Sequence, residues 1–181
     1  MKIILAALVI IGSAYAHPTT VRLATKPPAP QCDESIWKHV YIGGRPNQFA
    51  TAKDRLKIID PCKTITGRVV TMVSKPDGDI HIQIKLDPGQ SNLLNARNRQ
   101  AKGGQHGFLV VEPICQKEPT QRTALKGGPC TGFRQSLPAL AQMRKDVKKH
   151  IGTHVEVTGA FITDMEHGWN EIHPITSIAI K

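Results

Sequence analysis

Aromatic side chains are scarce: two tryptophans, two tyrosines and four phenylalanines make up 4% of the 181 residues. Several of them, Phe108 and Phe161 among them, sit in apolar stretches that read as core, so few remain for the stacking platform of a single-strand nucleic-acid binder. The four cysteines contain no C-x-x-C pair, which argues against a zinc knuckle or ribbon. No serine stands in a G-x-S-x-G elbow, and neither Gly103-Gly104 nor Gly127-Gly128 is followed by the lysine and hydroxyl of a phosphate-cradling loop. Nucleophilic-serine catalysis and nucleotide hydrolysis are therefore disfavoured. The longest apolar run, Ile3 to Ile11, falls well under the roughly 20 residues that a membrane-spanning helix needs. Acid is the last shortage: 14 Asp and Glu stand against 24 Lys and Arg, a net charge of +10.

That charge favours anionic partners, namely nucleic acid, acidic polysaccharide or a phospholipid surface, although a solvated basic surface would give the same balance. Lys2, the apolar run and Ala14-Tyr15-Ala16 have the parts of a secretory signal peptide, which predicts residues 1–16 as a leader and a secreted, extracellular location. Residues 17–31 are rich in Pro and Thr and read as an extended tail. In an oxidising compartment four cysteines predict two disulfides. Of the three possible pairings, Cys32–Cys62 with Cys115–Cys130 closes loops outside the expected strands. Residues 32–61, with Trp37, Tyr41 and an amphipathic run from Ala52 to Ile59, then form a disulfide-tethered N-terminal arm holding one short helix.

Residues 62–181 are expected to form the main domain. Thr64 to Ser74 alternates, with Ile65, Val69 and Val73 on one face; Pro76-Asp-Gly-Asp79 is a hairpin signal; and Ile80, Ile82, Ile84 and Leu86 alternate on the return. Gly107 to Ile114 reads as a third strand. Ser136 is placed to cap a helix with the apolar stripe Leu140, Met143, Val147 and Ile151, which Gly152 ends. Val155, Val157 and Phe161 mark a fourth strand, and Ile172, Ile178 and Ile180 a fifth. A chain that is mainly β with one helix, in the order β-β-β-α-β-β, predicts a five-stranded OB-like barrel.

Chemistry concentrates in two segments, Asp77-Gly-Asp79-Ile-His81 and His167-Gly-Trp169-Asn-Glu171-Ile-His173-Pro174. Each carries an acid and a histidine two residues apart, which a strand points to one face. With Ile80, Ile82, Ile84 and Ile172 turned inward, Asp79, His81, Glu171 and His173 are expected outside the core as an exposed, shared patch. Carboxylates with imidazoles suit zinc, manganese or iron, whereas Asp77, Asp79 and Glu112 without histidine would suit calcium. The competing expectation is a hydrogen-bonded network in which a carboxylate orients each histidine. Trp169, with His167 beside it, either stacks on a base or sugar or covers the barrel end. Lys85, Arg97, Arg99 and Lys102 are candidate contacts for phosphate or sulfate.

Pro61-Cys-Lys-Thr-Ile-Thr-Gly67, Asp77-Gly-Asp-Ile-His81, Leu86-Asp-Pro-Gly89, Val110-Val-Glu-Pro113, Val157-Thr-Gly159 and His167-Gly-Trp-Asn-Glu-Ile-His-Pro174 resemble a family of small exported or surface proteins of bacteria and archaea without assigned activity. That resemblance covers about two thirds of the chain and implies an OB-like barrel. A looser similarity to staphylococcal-nuclease-like domains, which carry an Asp-Gly-Asp near the first hairpin, implies Asp79 as a calcium ligand; the two arginines of that chemistry have no counterpart here. The leading expectation is a non-catalytic secreted binder of an anionic polymer. Its alternatives are a metal-dependent hydrolase, above all a nuclease, with Asp79, His81, Glu171 and His173 around the ion, and a structural or matrix protein.

Overall fold

The computed structural model describes residues 31–43, 49–121 and 128–181, so the expected leader and nearly all of the expected tail lie outside the described residues. The chain is mainly β. Five strands, β1 (Leu56–Ser74), β2 (Ile80–Leu86), β3 (Leu109–Val111), β4 (His154–Asp164) and β5 (Asn170–Ile180), form one sheet. β1 pairs with both β2 and β4, and the parallel pair β3–β5 links the two hairpins, so the hydrogen bonding returns to its start in the order β1-β2-β3-β5-β4. Ile65, Val69, Ile82, Ile84, Val155, Val157 and Ile172 fill the interior, packed with Leu140 and Met143 from the helix α3 (Pro138–Lys145). Both expected disulfides are present, Cys32–Cys62 and Cys115–Cys130.

Several details differ from expectation for local reasons. Ala52–Arg55 (α1) is one turn, capped reciprocally by Thr51 and Asp54, as Ala96–Arg99 (α2) is by Asn95 and Asn98, and the rest of the amphipathic run already belongs to β1. A bulge between Val69 and Thr71 reverses the faces of β1. Met72 consequently packs on the core, while Val73 is 53% exposed. β3 is only three residues long; Phe108 is tied into a turn on Gln105, and Pro113 has no amide proton to donate. The expected single helix breaks at Asp146, whose side chain caps a separate turn, Val147–His150 (α4), by accepting from Lys149 N. The residue before α3 is Leu137, with Pro138 opening the helix, and Ser136 makes no cap. Leu140 and Met143 are buried as expected, whereas Ile151 is 46% exposed.

The outer face of the sheet is covered too. A 3-10 segment, Glu34–His39, capped by Asp33, lays Ile36 and Trp37 against Leu56, Ile114, Ala160, Ile162 and the Cys115–Cys130 bridge. The Cys32–Cys62 bridge ties this segment to β1. A second apolar cluster therefore sits outside the ring of strands, and whatever faces outward beneath it is buried.

Candidate functional site

The parity expected from sequence holds in direction. Ile80, Ile82, Ile84 and Ile172 belong to the interior cluster, so their chain neighbours Asp79, His81, Glu171 and His173 turn to the other face. The expectation of exposure is wrong: Asp79, Glu171 and His173 are 3%, 1% and 1% exposed, with Asp79 lying against the Cys115–Cys130 bridge and Glu171 bonded to the Trp169 indole. His81 alone stays partly open, its side chain 21% exposed.

The two acid-x-His pairs meet through Glu112, which β3 delivers from its end. One oxygen of Glu112 contacts His81 Nε2 and the other contacts His173 Nδ1. His173 Nδ1 also lies 3.0 Å from Glu171 Oε1, and Trp169 Nε1 donates to the other Glu171 oxygen at 2.9 Å. Asp79 accepts from Cys115 N at 2.6 Å, an amide aimed at it by a cysteine in the left-handed region, φ 52°. One ligand atom from each of Asp79, Glu112 and His173 lies within 4.8 Å of the other two. His173 Nε2 is buried and has no hydrogen-bond partner among the described residues. Asp79 also lies close to the cysteines of the Cys115–Cys130 bridge, but disulfide sulfurs are not thiolate ligands.

Three buried carboxylates thus share a pocket with two imidazoles, of which His81 is partly open. Burial, then the charges of Asp77 and Glu112, push the Asp79 carboxyl well above its ordinary range, and burial raises Glu112 against the pull of His173. Burial acts to lower His173, but the charges and hydrogen bonds of Glu112 and Glu171 outweigh it and hold the imidazole well above its usual value. His81 is driven the other way, first by burial and then by the positive charge of Lys75, His173, His167 and Arg55. The carboxylate-oriented histidines of the competing expectation are therefore here, together with one imidazole nitrogen that this network leaves unused.

A cleft of about 530 Å³ opens in front of His81. Its walls include Lys75, Asp77, Gln83, Gln105, Arg55, His167 and Trp169. No family model, no curated protein and no solved structure matches this chain.

Beside the cleft, the turn between β4 and β5 carries a second carboxylate–imidazole pair. Asp164 Oδ1 accepts from Glu166 N at 2.8 Å, while Oδ2 takes His167 Nδ1 at 2.8 Å and Arg55 Nη2 at 2.9 Å. Arg55, from the end of α1, is 6% exposed and also donates to Tyr41 O at 2.7 Å. Burial acts to raise Asp164; the His167 hydrogen bond, with the charge and hydrogen bond of Arg55, outweighs it and holds the carboxyl well below its usual range. The Asp164 hydrogen bond raises His167 in turn. The His167 ring stacks on Trp169, centroids 4.4 Å apart and planes 11° from parallel.

Trp169 is only 8% exposed and occupied by Glu171 and His167, so it is not an open platform for a base or sugar. The basic loop is turned on itself: Arg99 donates to the carbonyls of Ser91, Leu94 and Asn95, and Arg97 to Gln100 and the carbonyl of His167. Lys85 and Lys102 are exposed and line no part of the cleft. Arg55 and Asp164 were not singled out from sequence. The available signals were an arginine at the apolar end of an amphipathic run and the spacing Asp164-x-x-His167 in a turn.

Proposed function

We propose that the chain is an exported, OB-like, metal-dependent hydrolase of anionic esters, with phosphodiesters as the substrate class. Asp79, Glu112 and His173 would hold the ion, and Glu171, backed by Trp169, would orient His173. The observation that carries this reading is the buried trio Asp79, Glu112 and His173, whose ligand atoms lie within 4.8 Å of one another, together with a His173 Nε2 that is buried and has no partner among the described residues. A carboxylate on Nδ1 leaves the lone pair on Nε2, the arrangement by which metal-ligating histidines are aimed. An imidazole among the donors favours zinc, manganese or iron over calcium. His81 joins the seat to the cleft, since it touches Glu112 and lines the cleft wall. The circular strand order with α3 between β3 and β4 supports the OB reading, and the two disulfides suit an oxidising compartment.

Elemental analysis of protein purified without metal resins tests the seat, and incubation with DNA and RNA, with and without chelator, tests the activity. About one zinc, manganese or iron per chain is expected, lost in Asp79→Asn and His173→Ala, together with chelator-sensitive cleavage. Protein that takes up none of these ions, or that cleaves no phosphodiester under any of them, overturns the reading.

A second reading, non-catalytic retention of an anionic polymer, is favoured by a separate feature. α3 and α4 present Arg144, Lys145, Lys148 and Lys149 as an exposed basic run. Such a surface suits a polyphosphate or polysulfate chain. The two readings are compatible, because the run carries no part of the cleft wall.

A further inference from the structure

His167 is built into the wall of the cleft with unusual care for a turn residue. Its Nδ1 is fixed by Asp164, a carboxylate 1% exposed whose same oxygen also accepts from Arg55. Its ring lies flat on Trp169, which Glu171 anchors in turn. Its backbone carbonyl accepts from Arg97 Nε at 3.3 Å. These contacts fix the plane and the tautomer, and they leave Nε2, on the opposite edge of a side chain 40% exposed, with no protein partner among the described residues. A surface histidine serving only as a hydrogen-bonding strut would not need its ring clamped on a face and on an edge at once.

We propose that His167 is the proton donor of the cleft, delivering the proton on Nε2 to the leaving oxygen of a phosphodiester bound there. This rests on the hydrolase reading above and adds a residue to it. Water adds to phosphorus as the bond to the leaving alcohol breaks. The departing oxygen takes the His167 proton and leaves as the neutral alcohol. One proton of the attacking water stays on the product phosphate or passes to solvent, the other passes to solvent, and His167 is reprotonated from solvent. Asp164 acts as a positioning residue: it keeps Nδ1 protonated and stabilises the imidazolium, in the way a buried carboxylate orients the histidine of a hydrolytic triad. The groups facing His167 favour the charged ring: Asp164, Glu166 and Glu171 all raise its basicity, against burial. Its partner is also suitable, since the electron-rich face of an indole attracts a cation.

The test compares two leaving groups on metal-loaded protein. An alkoxide leaving from DNA or RNA needs a proton, whereas p-nitrophenolate leaving from bis(p-nitrophenyl) phosphate does not. His167→Gln is expected to lose about 100-fold or more on the nucleic acid and to change less than about threefold on the activated diester. Activity on the activated diester also shows that the variant is folded and holds its ion. Asp79→Asn, by contrast, should lose both substrates alike. A His167→Gln protein that keeps its rate on nucleic acid, or loses both substrates equally, overturns the proton-donor role and leaves the metal reading standing. Wild-type protein that cleaves neither substrate with any ion overturns both. A readout independent of turnover is the imidazole nitrogen spectrum of the wild type. Inorganic phosphate should move the His167 Nε2 resonance and spare Nδ1, and an unmoved Nε2 counts against the proposal.

Discussion

Asp164 is the residue on which the most separate functions depend. It caps its own turn, neutralises a buried arginine and fixes the imidazole that faces the cleft. Removing it with Asp164→Ala leaves Arg55, whose side chain is 8% exposed, with Glu166 at 3.5 Å as its remaining ion-pair partner, so the loss should fall below the about 3–5 kcal/mol of a wholly uncompensated buried charge. The loss should depend on pH in both directions. Asp164 has a folded-state pKa below its ordinary 3.8, so its contribution is present above that value and fades as pH falls toward the depressed one. His167 has a folded-state pKa above its ordinary 6.5, so its contribution is complete below 6.5 and fades as pH rises through the elevated one. Because His167 is 40% exposed, its share is the smaller. Urea unfolding of wild type and Asp164→Ala across pH 3–9 should therefore show a stability gap that is widest at about pH 4–6.5 and narrows on either side. A gap of constant size over that range would mean that the carboxylate acts only by packing.

At the scale of elements, the site exists because its strands pack closely, and the β4–β5 hairpin shows how closely. Gly159 sits at an irregular crossing where its partner is Ile175, between register shifts on both sides. A Cβ there would lie 2.5 Å from the Pro174 carbonyl oxygen and 2.6 Å from Ile175 Cα, both backbone atoms that cannot swing aside. Gly159→Ala should therefore cost about 1–3 kcal/mol, seen as a lower urea midpoint at unchanged slope, since the strands must part next to His173. An alanine variant as stable as wild type would show that this crossing has slack. The sequence carried the strands well, because period-two alternation in Ile80–Leu86 and the Asp-Gly turn are local signals. It carried the facing of Asp79, His81, Glu171 and His173 for the same reason. Burial of that face was not legible, because it depends on long-range contacts such as the Cys115–Cys130 bridge lying against Asp79, which no local pattern announces. The reversal at Val69–Thr71 was hidden likewise, since a bulge preserves composition while exchanging faces. Glu112 drew notice only as an acid beside the third strand; its place between two histidines depends on β3 lying parallel to β5, a long-range pairing.

At the scale of the molecule, the described residues keep the buried acidic cluster and the exposed basic run apart. Asp79, Glu112, Glu171 and His173 are buried together, while exposed lysines and arginines among the described residues include the run on α3 and α4. Positive surface charge attracts a polyanion at long range and releases its counterions on contact, so retention on duplex DNA or heparin should weaken linearly in log salt, with a slope near −0.9 per phosphate neutralised on DNA. If the α3–α4 run makes those contacts, the triple change Lys145→Glu, Lys148→Glu and Lys149→Glu should reduce the magnitude of the slope by about 2–3. The same change should leave metal content and the hydrolysis of a small activated diester untouched, since neither the seat nor the cleft wall includes these residues. An unchanged salt slope would place polymer capture elsewhere on the surface. A simultaneous fall in small-diester turnover would mean that the basic run and the cleft act as one unit, with α3, which packs on the β5 residues of the core, as the physical link between them.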